Sequence, residues 1–164
     1  MTKPAVSHID VVAAVLAGYA ERRVFHGFSR VPTSGGKATF QIAWHRGRVF
    51  ELAFDARAGT LRLPELLTGI PANSTMYEEL KAFIRSRQSD DLPDHRRLDA
   101  RKLQIRTYDR DGNILLVLKA KDRDCEYAVR KLVHLINEIY LTFLADGKYF
   151  GYLVEAFNLD PDRM

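Results

Sequence analysis

The sequence has very little cysteine and no long hydrophobic run, and each shortage excludes a class of protein. Cys125 is the one cysteine in 164 residues, so no disulfide can form within the chain. A lone thiol fits a reducing compartment. No apolar run approaches the roughly 18 residues that a membrane-spanning helix needs. These two features predict a cytoplasmic protein that does not associate with a membrane.

Residue types typical of metal and catalytic sites are scarce or scattered. The five histidines, at positions 8, 26, 45, 95 and 134, have no second ligand at a zinc-binding spacing. No serine lies in a Gly-x-Ser-x-Gly elbow. Asp124 and Glu126 flank Cys125 and disfavour its thiolate, so we expect an inert thiol. The sequence therefore predicts no catalytic residues, no metal site and no cofactor.

Two short stretches resemble ligand-binding loops but have the wrong spacing. An EF-hand aligned on Gly112 would place Thr107 and Leu118 where the first and last calcium ligands are required. Asp111-Gly112 between apolar runs is instead typical of a hairpin turn. TSGGKAT, residues 33–39, lacks the first glycine and the last hydroxyl residue of a phosphate-binding loop. We therefore expect a hairpin at the first stretch and a flexible turn at the second.

The chain is mildly basic, with 25 Lys and Arg against 21 Asp and Glu. Basic residues are densest between positions 85 and 102, where aspartates dilute them, as is typical of a solvated connector. This zone, with Arg46, Arg48 and Arg62, is a candidate nucleic-acid surface. The strands show no pattern of exposed aromatics between basic residues, so we do not expect nucleic acid as the partner.

Helical patterns begin near the N-terminus. Ser7 and Asp10 read as a capping box for a helix that should end near Arg23. The apolar stretch VVAAVLAGYA after Lys3 also resembles a short signal peptide, but Asp10 favours a structural helix. A second capping box, at residues 75–78, predicts another helix. Further helices are expected at 124–145 and 149–157, a mobile loop at 88–101 and a loose end at 158–164.

Period-two alternation predicts the strands. Apolar residues alternate in ATFQIAW, in VFELAFD and again at Leu61 and Leu63, which predicts a three-strand meander with one buried face. Trp44 should lie in that face. Residues 28–31 are a candidate for a short strand before the meander. Two further strands, at 102–108 and 114–120, should form a hairpin, and the second belongs in the middle of the sheet because it is apolar on both faces.

The predicted order of elements is α-β-β-β-α-β-β-α-α in a single domain over residues 1–164. It is an α+β fold in which an antiparallel sheet of about five strands, a meander plus a hairpin, is backed by helices. This order resembles that of type III secretion chaperone-like proteins over most of the chain. The resemblance implies a homodimer that binds an extended segment of a partner protein. Such chaperones tend to be acidic, whereas this chain is basic.

The leading hypothesis is a non-catalytic protein-binding or regulatory module that acts as a homodimer through its C-terminal helices. Its support is surplus apolar surface, because Leu135, Leu141 and Phe150 point away from the face given to the sheet. The alternative is a small-ligand-binding domain or small enzyme with a pocket between the meander and the C-terminal helices. Candidate residues for the pocket or partner surface are His26, Trp44, Tyr140, Tyr149 and Phe150.

Overall fold

The computed structural model describes residues 8–32, 36–44, 48–93, 97–121 and 124–143. Within these residues the helices are α1 (His8–Glu21), α2 (Thr75–Ser86) and α3 (Cys125–Glu138), and a π-helical turn, Ile139–Phe143, continues α3. The strands are β1 (Gly27–Pro32), β2 (Lys37–Trp44), β3 (Arg48–Asp55), β4 (Thr60–Leu67), β5 (Leu103–Arg110) and β6 (Asn113–Ala120). The α+β fold class predicted from the sequence is confirmed.

The described strands form one antiparallel sheet in the order β1-β2-β3-β4-β6-β5. The predicted meander and hairpin are both present, and the candidate segment 28–31 forms a sixth strand, β1. β6 pairs with β4 on one side and β5 on the other, which confirms the central position inferred from its apolar run. β1 and β5 are therefore the two edge strands of the sheet.

One face of the sheet, which we call the inner face, packs against the helices. Every second residue of β2 and β3 is buried there, and Trp44 is 5% exposed, as predicted. α1 and α3 pack against each other over this face. Met76, Leu80 and Ile84 of α2 are buried in the same core. Apolar alternation in the strands therefore sets which face of the sheet receives the helices.

β4 is longer than the sequence predicted. Its apolar alternation stops at Leu63, but the strand continues to Leu67. Its pairing with β6 shifts register between these two residues. Pro64 lies at the shift, where its missing N–H leaves no ladder hydrogen bond unmade. A proline inside an apolar run is ambiguous in sequence, and here it marks an irregularity within the strand and not its end.

The start of α2 differs by one residue from the predicted capping box. Ser74, and not Thr75, is the N-cap, and its hydroxyl accepts a hydrogen bond from the Tyr77 N–H at 3.1 Å. Both residue types are favourable N-caps, so the sequence could not separate the two adjacent positions. The predicted N-cap of α1, Ser7, lies outside the described residues. Asp124 caps α3 through the Tyr127 N–H at 3.0 Å.

The hairpin predicted at Asp111-Gly112 joins β5 to β6. Both turn residues have positive φ, 55° and 89°, as a two-residue type I′ turn requires. The Asp109 carboxylate accepts a hydrogen bond from the Gly112 N–H at 2.9 Å. The Gly112 carbonyl accepts one from the Ile70 N–H at 3.0 Å. The acidic residues of this stretch thus close a turn.

The stretch 88–101, predicted as a mobile loop, is attached to the core near its C-terminal end. Leu98 is 2% exposed, and its N–H donates to the Arg87 carbonyl at 2.7 Å. Arg87 in turn forms an ion pair with Glu138 at 3.0 Å, where both side chains are largely buried. Residues 94–96 and 158–164 lie outside the described residues, so mobility at both places stays a prediction.

Candidate partner-binding surface

The residues predicted for a pocket or partner surface do not all meet in one open site. Trp44 and Tyr140 are buried, and each packs against Phe50, with ring centroids 6.3 and 5.7 Å apart. Their rings therefore fill part of the core where the alternative hypothesis placed a pocket. His26 is exposed just before β1, and its backbone N–H donates to the Ala43 carbonyl at 2.7 Å. The last two candidates, Tyr149 and Phe150, lie outside the described residues.

Arg48 fixes this aromatic cluster to the end of β4. Its guanidinium donates to the Leu66 carbonyl at 3.1 Å and the Glu65 carbonyl at 2.9 Å, and it also bonds the Tyr140 hydroxyl. The Tyr140 hydroxyl donates to the Leu66 carbonyl at 2.7 Å. Burial raises the pKa of Tyr140, so the phenol stays neutral beside the guanidinium. Arg48 is therefore a structural residue, which removes it from the predicted nucleic-acid surface.

Three of the six basic residues in the arginine-rich zone at 85–102 are held in ion pairs. The pairs are Arg87 with Glu138, Arg97 with Asp90 and Arg101 with Asp99. The hydrogen bond from Arg101 lowers the pKa of Asp99 to about 2, so this carboxylate stays charged beside its arginine. Cations already held by carboxylates attract a polyanion less strongly than unpaired ones. This zone therefore does not behave as a free basic patch.

The second face of the sheet, which we call the outer face, carries exposed hydrophobic side chains. Among the described residues the helices pack on the inner face. Val31, Val49 and Tyr108 are 42%, 63% and 40% exposed, and strand alternation points all three to the outer face. A solvated sheet face is normally polar. These three side chains lie on β1, β3 and β5 and are separate candidate anchors, since single exposed apolar residues are common on protein surfaces.

The paired stretches of β4, β6 and β5 form half of the outer face and place cations but no carboxylate there; the exposed Glu65 of β4 lies outside these stretches. The exposed cations are Arg62, Arg106, Arg110 and Lys119. The register places Arg62 and Arg106 on the two sides of Val117. The other outward residues in these paired stretches are Thr60, Gln104, Tyr108, Asn113, Leu115 and Val117. This half, which we call the basic patch, therefore favours an acidic partner.

Tyr108 is an outer-face residue that was not identified from the sequence. It lies between Arg106 and Arg110 on the outer face, because residues two apart on a strand share a face. One exposed tyrosine between two arginines is not a pattern of exposed aromatics, so the expectation against nucleic acid stays as it was. The signal was present as RTYDR, in which Arg, Tyr and Arg recur at period two. It was missed because β5 was interpreted only for its inward apolar residues.

The edge strand β5 is accessible beside α2. A cleft of about 220 Å³ lies between them, lined by Lys81, Ile84, Arg85, Gln88, Ile105 and Thr107. The Tyr77 hydroxyl and the Thr107 hydroxyl are 3.5 Å apart. α2 therefore lies under the inner side of β5, and α2 makes no backbone hydrogen bond to the edge of that strand. The cleft, the edge and the basic patch form one continuous surface around β5.

Comparisons with protein-family models, with curated proteins and with solved structures find no match. In the described part of the chain no helix is long and apolar enough to cross a membrane. The same residues contain no group of three or more His, Cys, Asp or Glu placed to hold a metal ion. These comparisons therefore assign no family to the chain.

Proposed function

We propose that the chain is a non-catalytic binding module that docks a partner protein on the open side of its sheet. The observation that carries the proposal is the composition of the outer face. It holds Val31, Val49 and Tyr108 at 42%, 63% and 40% exposure, and the paired stretches of β4, β6 and β5 add cations with no carboxylate among them. Tyrosine and arginine contribute disproportionately to the energy of protein interfaces. An antiparallel sheet that presents both types on a face left uncovered by the described helices is suited to bind another protein.

The extended form of the surface favours a protein partner over a small ligand. The buried rings of Trp44, Phe50 and Tyr140 occupy the region between the meander and α3. The outer face is instead broad, and its exposed hydrophobic residues lie on three different strands. Small-ligand sites are concave and enclose most of their ligand. A broad sheet face with scattered anchors suits a macromolecular partner.

We propose that the module acts as a homodimer through its C-terminal helices, and the support is narrower than the sequence indicated. Leu135, expected to lie outside the monomer core, is 1% exposed, so that expectation is wrong. The monomer buries it with α1 packed against α3. Leu141, on the π-helical turn, is 63% exposed and supports the dimer. Phe150 lies outside the described residues.

Selection of random peptides displayed on phage, with the purified protein as bait, tests the protein-binding proposal. We expect enriched peptides that lose binding to the Val49→Asp and Tyr108→Asp variants, because each substitution places a charge on the outer face. Ala14→Asp is the matched control: it places the same charge at an exposed position of α1, away from that face, and should retain binding. Failure to enrich any peptide, or equal binding to all three variants, would contradict docking on the outer face.

A further inference from the structure

We infer that the partner segment is extended and acidic, and that it adds as a strand to the free edge of β5. This inference rests on the proposed function and names the chemistry and the mode of binding at the β5 end of the outer face, three strands from Val49 and five from Val31. Strand addition obtains affinity from main-chain hydrogen bonds and specificity from alternate side chains. Three features of β5 support it: a free backbone edge, cations on one side and a cleft on the other.

The backbone edge of β5 is free and regular. All eight residues of β5 pair with β6 without a bulge. In antiparallel pairing, hydrogen-bonded residue pairs alternate with non-bonded pairs. The pair that closes the two-residue turn, Arg110 with Asn113, is a hydrogen-bonded pair. The alternate residues Ile105, Thr107 and Asp109 are therefore in non-bonded pairs, and their N–H and C=O groups point away from β6. The Leu103 N–H follows the same parity, since it donates to the Asp99 carbonyl outside the sheet at 2.9 Å.

Beyond Leu103, the free edge stays unpaired within the described part of the chain. Ile105, Thr107 and Asp109 make no backbone hydrogen bond to another described residue outside the ladder. The opposite edge strand, β1, is less suitable for strand addition. It is shorter, ends in Pro32, and its Arg30 is held by Asp10 at 3.2 Å. Natural edges are commonly protected by proline, by short length and by charged side chains. β5 lacks the first two, and its charges, Arg106, Arg110 and the inward Asp109, must be matched by the partner.

The arginines on the outer side of β5 favour a partner segment with negatively charged side chains. A strand added beside β5 would direct every second side chain to the outer face, next to Arg106, Tyr108 and Arg110. Cross-strand neighbours of opposite charge stabilise the pairing, and like charges destabilise it. No carboxylate stands on the outward positions of β5 or β6 to compete for these two arginines. Glutamate or aspartate at alternate positions of the partner therefore fits this side.

The inner side of β5 accepts the remaining side chains in the cleft beside α2. Ile84 and Ile105 form apolar walls, and Arg85 is exposed at the border. Lys81 is already paired with Glu78 at 2.8 Å. Aliphatic side chains of the partner can therefore reduce the exposure of Ile105. The recognised segment alternates acidic and aliphatic residues.

A second copy of the chain fits this edge less well than an acidic segment. Pairing β5 with another β5 would bring two further arginines to the same junction, so that four guanidinium groups would share it. Like charges at a strand pairing are destabilising. The single exposed aromatic on β5 also offers little for a nucleic acid, which stacks successive bases on several aromatic side chains. Both occupants are outcomes that the experiment distinguishes.

Calorimetric titration at low salt with three synthetic peptides tests the inference. The first alternates glutamate and valine, the second alternates lysine and valine, and the third is the acidic peptide methylated on alternate backbone nitrogens. We expect the acidic peptide to bind, the lysine peptide not to bind, and methylation to weaken binding about tenfold or more, since it removes edge hydrogen bonds. On binding, hydrogen exchange at the Ile105 and Thr107 amides should slow.

Charge variants provide the matched control. Arg106→Glu combined with Arg110→Glu should weaken the acidic peptide about tenfold or more, and Arg57→Glu, an exposed cation in the β3–β4 turn, should change binding less than about twofold. Equal binding of the methylated peptide would refute strand addition. Equal binding of the lysine peptide would refute the acidic partner. Unchanged exchange at Ile105 and Thr107 would place the site elsewhere.

The remaining outcomes separate this inference from the proposed function. Displayed peptides that are enriched without acidic residues, and that bind the arginine variant normally, would overturn the inference and leave docking on the outer face intact. An oligouridine strand that displaces the acidic peptide and binds more tightly would overturn it in favour of nucleic acid. Dissociation of the dimer in the arginine variant, or on addition of the acidic peptide, would show that a second copy occupies the β5 edge and would overturn the inference.

Discussion

Replacing Tyr140 with phenylalanine removes a single hydroxyl from the contact that joins the π-helical turn after α3 to β4. In the wild type this hydroxyl donates to the Leu66 carbonyl at 2.7 Å and accepts from Arg48. Tyr140 is 8% exposed, so water does not readily replace the lost partner. Loss of a hydrogen bond at a buried site costs about 1–3 kcal/mol. Arg48 keeps the carbonyls of Leu66 and Glu65 as acceptors, which places the expected loss near the lower half of that range.

The assay is urea unfolding, followed by circular dichroism. We expect the free energy of unfolding to fall by about 1–2 kcal/mol, and the Tm of a domain of this size to fall by about 3–6 °C. Tyr108→Phe is the matched control, because Tyr108 is 40% exposed and a surface change of this kind costs less than about 0.5 kcal/mol. Equal stability of Tyr140→Phe and the control would refute the role assigned to the Arg48–Tyr140–Leu66 contact.

Three further predictions test the core, the phenol and the assembly. Trp44, 5% exposed, should emit at short wavelength and resist acrylamide quenching; a red, readily quenched spectrum in folded protein would place it at the surface. Because the folded pKa of Tyr140 lies above its unfolded value, its contribution to stability should be full below pH of about 10 and decline above it. Alkaline unfolding that is identical in Tyr140→Phe would contradict this. Light scattering should give twice the 18.7 kDa chain mass and a smaller mass for Leu141→Asp; a wild-type mass of one chain at all concentrations would refute the dimer.

The elements set by short-range patterns could be predicted from the sequence. Period-two alternation identified β2, β3 and the start of β4, because each strand buries one face and solvates the other. Asp111-Gly112 identified the hairpin, because both residues tolerate positive φ. The apolar run of β6 predicted a strand inside the sheet, and the structure places β6 between β4 and β5. These signals depend only on neighbours along the chain.

The features that depend on distant neighbours could not be predicted. Arg48 lies 92 residues from Tyr140 in sequence, so nothing near it indicates a structural role. Leu135 was assigned to the surface of the monomer, and only the packing of α1 against α3 shows that one chain can bury it. β1 was uncertain because Gly27 and Pro32 bound a short segment with few apolar residues. Its hydrogen bonds to β2 hold it as a strand, although its own sequence has a weak strand pattern.

The candidate surface was less predictable than the fold. The five residues first proposed for a site included Trp44 and Tyr140, which are core residues, because buried and ligand-lining aromatics look alike in sequence. The surface around β5 instead emerges from register, which aligns Arg106 with Val117 and Tyr108 with Leu115. Register across strands is a tertiary property. The alternation in RTYDR was the one sequence signal that pointed to it.

Chemical-shift mapping of the isotope-labelled protein with the acidic, alternating peptide tests the central claim most directly. The account predicts that perturbed amides centre on β5 and the adjoining part of β6, with Ile105, Thr107 and Tyr108 among them, and that α1 is unaffected. Binding that perturbs α1 and the far edge strand β1, with the amides of β5 unchanged, would contradict it.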